Sequence, residues 1–360
     1  MTQPDDARAV AEVLEKYAEQ TERDRRPAPE SVAAVRAAGF FGLAGSGTDT
    51  RTRVEILREL GQACASTAWV TGLNIGAKEL LLRNMPAETR ELLLADPGVL
   101  VCGSGASRGV TARRVSDGLV ISGRWQNCSG CEDAGYAMLI VPLDGSVVIA
   151  LADTRELTVD RDWHIAGMAG SGSHTLVADE VLVPAGRIQF DMASWVATPG
   201  TQTGGVAAML APLAGATRGA WEDVRRVLDG GKAPYGSRFA RITDSALGRF
   251  WFTEATHLVD SAEWHLRRVA EAVDAGRVTS VAERAELRTH LSTSAQQCRQ
   301  AVEKLLDLGG MSGFTLSNPL QRRWRDVAVG TRHPQFNPYL AEEDYGRVLL
   351  AAGEPMSTQL

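Results

Sequence analysis

Apolar residues in the first quarter of the chain recur at helical spacing. Val10, Val13, Leu14 and Tyr17 form one stripe and Val32, Val35 and Ala38 another, interrupted by Pro27, Pro29 and the glycines near Gly45. A period near 3.6 predicts a set of helices from Ala7 to about Leu94. Between about Val99 and Pro184 the pattern changes to short β-rich runs, among them Leu119-Val120-Ile121, Met138 to Val141 and Val147 to Leu151, separated by Asp-Gly and Gly-Ser turn signals. Such runs predict an antiparallel sandwich or barrel. After Gly200 the helical period returns in two long stripes. One runs Leu258, Ala262, Leu266, Val269, Val273, the other Leu287, Leu291, Ala295, Cys298, Val302, Leu305, and both are wide enough to pack as bundle members. The glycines and prolines from Pro199 to Pro212 read as a linker. There is no internal repeat or low-complexity tract.

Composition narrows the function classes. The 360 residues are 44% apolar and 23% charged, a globular balance with material for one large core or several smaller ones. Net charge is -6 with no basic block, which argues against a nucleic-acid partner. No run approaches the roughly 18 apolar residues that span a bilayer, and the MTQPDDARAV start lacks the order of a secretory signal, so a cytoplasmic protein off the membrane is expected. Five scattered cysteines fit reduced thiols.

Cys128-Ser-Gly-Cys131 has thioredoxin-type spacing. It lies in the β-rich part, where no helix end lowers a thiol pKa, so neither redox nor metal work is assigned to it. His257 and His265 read as helix surface or packing residues. Gly103-Ser-Gly105 and Gly170-Ser-Gly-Ser173 do not form the glycine fingerprint of a dinucleotide site.

Two longer segments carry more information. Ser122 to Gly130 reads S-G-R-W-Q-N-C-S-G, and Trp163 to Pro184 reads W-H-I-A-G-M-A-G-S-G-S-H-T-L-V-A-D-E-V-L-V-P. Together they resemble the middle domain of two-component flavin-dependent monooxygenases built on the acyl-CoA dehydrogenase fold. Ala65 to Pro86 (A-S-T-A-W-V onward to N-M-P) is similar to that family's first-domain helices. Asp307 to His333 is similar to its last-domain ending, with D-L-G-G-M-S-G-F-T, then P-L-Q-R-R-W-R-D, then six residues and His333.

The resemblance implies an N-terminal α-helical domain (1–98), a central antiparallel β-domain (99–195) and a C-terminal four-helix bundle (196–360), assembled as a homotetramer. It also implies reduced FAD or FMN supplied by a separate NAD(P)H:flavin reductase, and a small-molecule substrate hydroxylated with O2 through a flavin C4a-hydroperoxide. Carried over by position, Ser129 stands near flavin N5 and His333 serves as acid or base. Trp125 and the backbone around Asn127 hold the ring, Ser171 and Ser173 line its flank, Ser104 lies on the flavin or substrate side, and Gly309 and Gly310 contact the cofactor.

Acyl-CoA dehydrogenases need a carboxylate to remove the α-proton, one common placement being a glutamate shortly after the last R-D pair. Here Arg325-Asp326 is followed by V-A-V-G-T-R-H-P-Q-F-N-P, with no acid before Glu342. An imidazole in that place suits oxygen chemistry. The dehydrogenases' R-x-x-F-G stretch has only Arg238-Phe239-Ala240-Arg241 as its nearest text. Phenol hydroxylases of the group carry a first-domain histidine where this chain has Gly76-Ala77-Lys78-Glu79. Substrate therefore stays open among aromatics, natural-product scaffolds and the amine of a sugar nucleotide. Two alternatives stand beside this reading. One is a dehydrogenase or oxidase with Glu254 or Asp260 as base, and the other a flavin-fold protein without chemistry.

Overall fold

The computed structural model describes residues 4–191 and 198–357, so the expected boundary at 195/196 lies outside the described residues. The helices predicted before Leu94 are α1 (Pro4–Asp24), α2 (Pro29–Ala37), α3 (Thr50–Ala63), α4 (Ala65–Asn84) and α5 (Ala87–Ala95). The Asp49 carboxylate caps α3 by accepting from the Thr52 N–H. α4 is buried on most of its circumference, which is why A-S-T-A-W-V-T-G-L-N-I-G has no polar face.

Among the described residues eight strands follow: β1 (Val101–Ser104), β2 (Ser107–Val115), β3 (Gly118–Cys128), β4 (Tyr136–Leu143), β5 (Ser146–Asp153), β6 (Thr158–Asp160), β7 (His174–Pro184) and β8 (Ile188–Gln189). They form two four-stranded sheets, ordered β1-β4-β5-β8 and β2-β3-β7-β6. Asp144 and Gly145, both at positive φ, make the tight turn between β4 and β5. One pairing departs from the expected antiparallel pattern: β1 runs parallel to β4. The β2–β3 hairpin separates these two strands in sequence and supplies the crossover that a parallel pair requires.

The C-terminal region holds α6 (Pro199–Asp229), α7 (Ala246–Asp274), α8 (Val281–Gly309), α9 (Pro319–Gly330) and α10 (Pro338–Leu349). The stretch read as a linker, Pro199 to Pro212, is instead the first half of α6. Thr198 caps that helix and Pro199 opens it, a position where a missing N–H costs nothing. Pro212 and, just beyond the stretch, Gly215 pack closely against α3. A Cβ on Gly61 would fall 2.3 Å from the Pro212 carbonyl oxygen, and one on Gly215 would fall 2.0 Å from that of Arg58. The tertiary contact thus overrides the poor helix propensity of Gly and Pro.

Buried Arg323 on α9 ties this joint together. It donates to the Gln62 carbonyl oxygen on α3, pairs with Asp223 on α6, and reaches Glu15 on α1 at 3.0 Å. All five cysteines are free and buried. Burial pushes the Cys128 and Cys131 thiols up to about 12, the opposite of redox activation. Among the described residues no helix is long and apolar enough to cross a membrane.

Candidate active site

Where β3 ends, the backbone leaves the sheet. Asn127 takes a left-handed φ of 60° and is exposed, and the β3–β7 register shifts between Trp125 and Cys128. Gly130 must be glycine here: its φ is 72°, and a Cβ would fall 2.6 Å from Val70 on α4. This turn seats Ser129 against α4. The Trp69 indole N–H donates to Ser129 Oγ at 3.3 Å.

From Ser129 a strip of buried hydroxyls continues inward. Ser129 Oγ lies 2.7 Å from Ser173 Oγ, which lies 2.7 Å from Ser171 Oγ, and Ser171 donates to the Met168 carbonyl oxygen at 2.7 Å. The loop carrying these serines is clamped by α9. Arg325 donates to the Ala166 carbonyl oxygen at 2.7 Å, and the Asp326 carboxylate accepts from the Met168 N–H. Burial pushes the Asp326 carboxyl up to about 6 while the Met168 N–H pulls it back. Arg325 pairs with Glu22 of α1 rather than with Asp326. A Cβ on Gly167 would meet the Arg325 carbonyl oxygen at 2.0 Å, so loop and helix touch backbone to backbone.

His333 follows α9 and caps the short turn Pro334–Phe336. Its Nδ1 accepts from the Gln335 N–H at 3.3 Å, which leaves the proton of the neutral ring on Nε2. Burial holds its pKa below the ordinary value. The imidazole meets Trp69 edge to face, centroids 5.7 Å apart, and lies 6.0 Å from the Phe336 ring. Trp69 therefore touches the sheet-borne serine and the bundle-borne histidine at once. In the sequence A-S-T-A-W-V carries part of the family resemblance but assigns Trp69 no role; its signal is a large aromatic in an otherwise small-residue helix face.

The structure brings Ser129, Ser171, Ser173 and His333 into one seam with Trp69, while the backbone at Asn127 opens beside it. Ser104 lies at the neighbouring turn, where its Oγ accepts from the Ala106 N–H at 2.9 Å and Ala106 in turn accepts from the Gln126 N–H at 3.0 Å. Trp125, expected to hold the ring, is fully buried, and its indole donates across the sandwich to the Ile140 carbonyl oxygen at 2.9 Å. Gly309 sits by Leu320 at the start of α9 and Gly310 faces Lys232, whereas His333 follows the end of α9. Twelve helical residues span about 18 Å, so these glycines do not join the seam within one subunit.

The alternative bases are committed elsewhere. Glu254 pairs with Lys304 and Asp260 with Arg218, both at 2.7 Å. Lys78, in the stretch that lacks a histidine, is buried and donates to the Phe41 and Pro97 carbonyl oxygens, and burial lowers its pKa to about 8. Gly76 lines a cavity of about 470 Å³ that also meets Arg53, Glu79, Gly204 and Gly205. No group of three or more metal-ligating side chains occurs among the described residues.

Comparison with known proteins agrees with this architecture. Residues 207–338 match the family model described as acyl-CoA dehydrogenase, C-terminal domain. The oxygenase component of an FADH(2)-dependent resorcinol hydroxylase from Rhizobium sp. (strain MTP-10005) is 34% identical, over 91% of this chain and 89% of that one. The oxygenase subunit HsaA of a flavin-dependent monooxygenase from Rhodococcus jostii (strain RHA1) is 27% identical, over 94% of this chain and 95% of its own. Among solved structures, XiaF from Streptomyces sp., in complex with FADH2 and glycerol, superposes with a TM-score of 0.89 at 27% identity, covering 99% of this chain and 96% of that one.

Proposed function

The chain belongs to the flavin-dependent monooxygenases that share the acyl-CoA dehydrogenase fold, and from that premise we propose that it hydroxylates an aromatic small molecule at the seam between Ser129, Trp69 and His333. The cofactor is reduced FAD or FMN, brought by a separate NAD(P)H:flavin reductase. The observation that carries this reading is the convergence on Trp69, whose N–H bonds the serine of one domain and whose ring packs on the histidine of another.

The residues present suit a flavin ring. Exposed backbone at Asn127 offers peptide groups outside the strand register, and Ser129 offers a hydroxyl against N5. Reduced flavin, when bound, supplies the electrons that activate O2. The chain supplies the rest. Neutral His333 presents an Nε2–H as a hydrogen-bond donor to the oxygen being transferred. Trp69 and Phe336 wall the imidazole with rings and keep water from it.

An aromatic substrate fits that wall, and the relative named for resorcinol supports the class. Exposed Tyr235, Phe239, Phe250, Met311 and Leu316 support assembly with further copies, as a homotetramer in which Gly309 and Gly310 of one copy serve a neighbour's flavin. A dehydrogenase reading loses support from the ion pairs that hold Glu254 and Asp260.

The test is oxygen accounting. Protein, chemically reduced FAD or FMN and ¹⁸O₂ are mixed with resorcinol or indole, and product and peroxide are quantified. One labelled oxygen in the product, with peroxide below the flavin oxidised, is expected. Unlabelled aromatics with peroxide equal to flavin would reject the proposal, and reduction of oxidised flavin by an acyl thioester would favour the dehydrogenase.

A further inference from the structure

We infer that the hydrogen bonds running from Trp69 to Met168 force Ser129 to act as an acceptor toward the cofactor, making the site selective for reduced over oxidised flavin. The inference rests on the reading that Ser129 faces flavin N5.

A hydroxyl has one proton to give and two lone pairs to receive with. Met168 contributes a carbonyl oxygen, which only accepts, so the 2.7 Å contact from Ser171 consumes the Ser171 proton. The contact between Ser171 and Ser173, also 2.7 Å, must then use the proton of Ser173. The contact between Ser173 and Ser129 is left with the proton of Ser129. At the other end the Trp69 indole N–H only donates, and it donates to Ser129. Every direction in the strip follows from its two ends.

Ser129 thus gives its proton inward, receives one bond from Trp69, and keeps one lone pair without a partner among the described residues. Ser129, Ser171 and Ser173 are 6%, 1% and 4% exposed. Little water reaches them to reverse a link, and a reversal anywhere would leave two oxygens 2.7 Å apart with no proton between them.

Reduced isoalloxazine carries a hydrogen on N5, which meets that lone pair. Oxidised isoalloxazine carries a lone pair on N5, which opposes it. Ser171 and Ser173 are therefore positioning residues that act through Ser129. An enzyme that borrows reduced flavin and must release it oxidised gains from this polarity.

The test measures the ratio of dissociation constants for oxidised and dithionite-reduced FAD, by anaerobic ultrafiltration of the full-length protein. In the wild type, reduced FAD should bind about tenfold tighter, the worth of one buried hydrogen bond satisfied rather than opposed. Ser173→Ala frees the Ser129 proton to turn toward N5, and the ratio should fall toward one. Ser171→Ala should do the same from two bonds away, because Ser173 can then donate to Ser129. Ser173→Thr keeps the hydroxyl and should keep the ratio. A wild type without preference, or a ratio within twofold of wild type in both Ala variants, would overturn the inference while leaving the oxygenase reading intact. Failure of the wild type to bind either flavin would overturn both.

Discussion

Two polar contacts of nearly the same length join different elements of this molecule, and they behave oppositely. At the seam, Ser129 and Ser173 are 2.7 Å apart. On the outer side of the bundle, His265 of α7 and His290 of α8 bring their Nδ1 atoms to 2.6 Å, with half-exposed Trp264 packed against both rings. The serine strip begins at a group that only donates and ends at one that only accepts, so its polarity is single-valued. The histidine pair has no such terminus. Either ring can be the donor, Glu286 lies 3.7 Å from His290 Nε2, and burial lowers both pKa values. A buried polar chain acquires chemical direction from its ends, whereas a half-buried pair without fixed ends only titrates.

Moving the loop that carries the strip should disturb the molecule most. Gly167→Ala places a methyl 2.0 Å from the Arg325 carbonyl oxygen, a backbone atom that cannot step aside. We expect a loss of about 3 kcal/mol in denaturant unfolding and loss of reduced-flavin binding. Unchanged stability would mean that loop and α9 are not in register as described.

His333→Gln comes next. The pKa of His333 is depressed below 6.5 by burial, so the working neutral form persists through neutral pH and is lost only as pH falls through the depressed value. Its contribution to stability has the same sign: present above the unfolded pKa, lost on the acid side. The pH–rate profile should therefore lose its acid limb in the Gln variant, with hydroxylation slowed by about 100-fold and reduced-flavin affinity retained. A limb that survives the substitution would remove His333 from the reaction.

The smallest effect is expected at the outer pair. His290→Ala should cost within about 0.5 kcal/mol at neutral pH and leave the flavin ratio unmoved. Because the histidine pKa values are depressed, the variant should gain relative stability as pH drops through them. A changed flavin ratio would show that the two regions are coupled.

Much of the architecture was legible in the chain. Helical stripes placed α7 and α8, and β-rich runs between turn residues placed β3, β4 and β5, because both periods report which side of a local element is buried. The Pro199 to Pro212 stretch reads as a linker because Gly and Pro signal breaks by local propensity, whereas in the fold Pro199 opens α6 and α3 accepts Pro212 in close contact. Trp125 shows a related limit: a motif names a tryptophan without saying which face of the sandwich it enters, and here the indole bonds to Ile140. Trp69 was missed because its importance lies in two partners, Ser129 and His333, that are remote from it in sequence.

From the chain alone came the order of helices, strands and bundle, the absence of a base at the usual carboxylate position, and the serine and histidine expected to face a flavin. Only the tertiary structure decided that an indole bridges them and that the serine hydroxyls point one way. Periodicity records a residue's near neighbours along one element. The direction of a hydrogen bond depends on what stands at both ends of a chain of contacts, and those ends meet only when three parts of the sequence fold together.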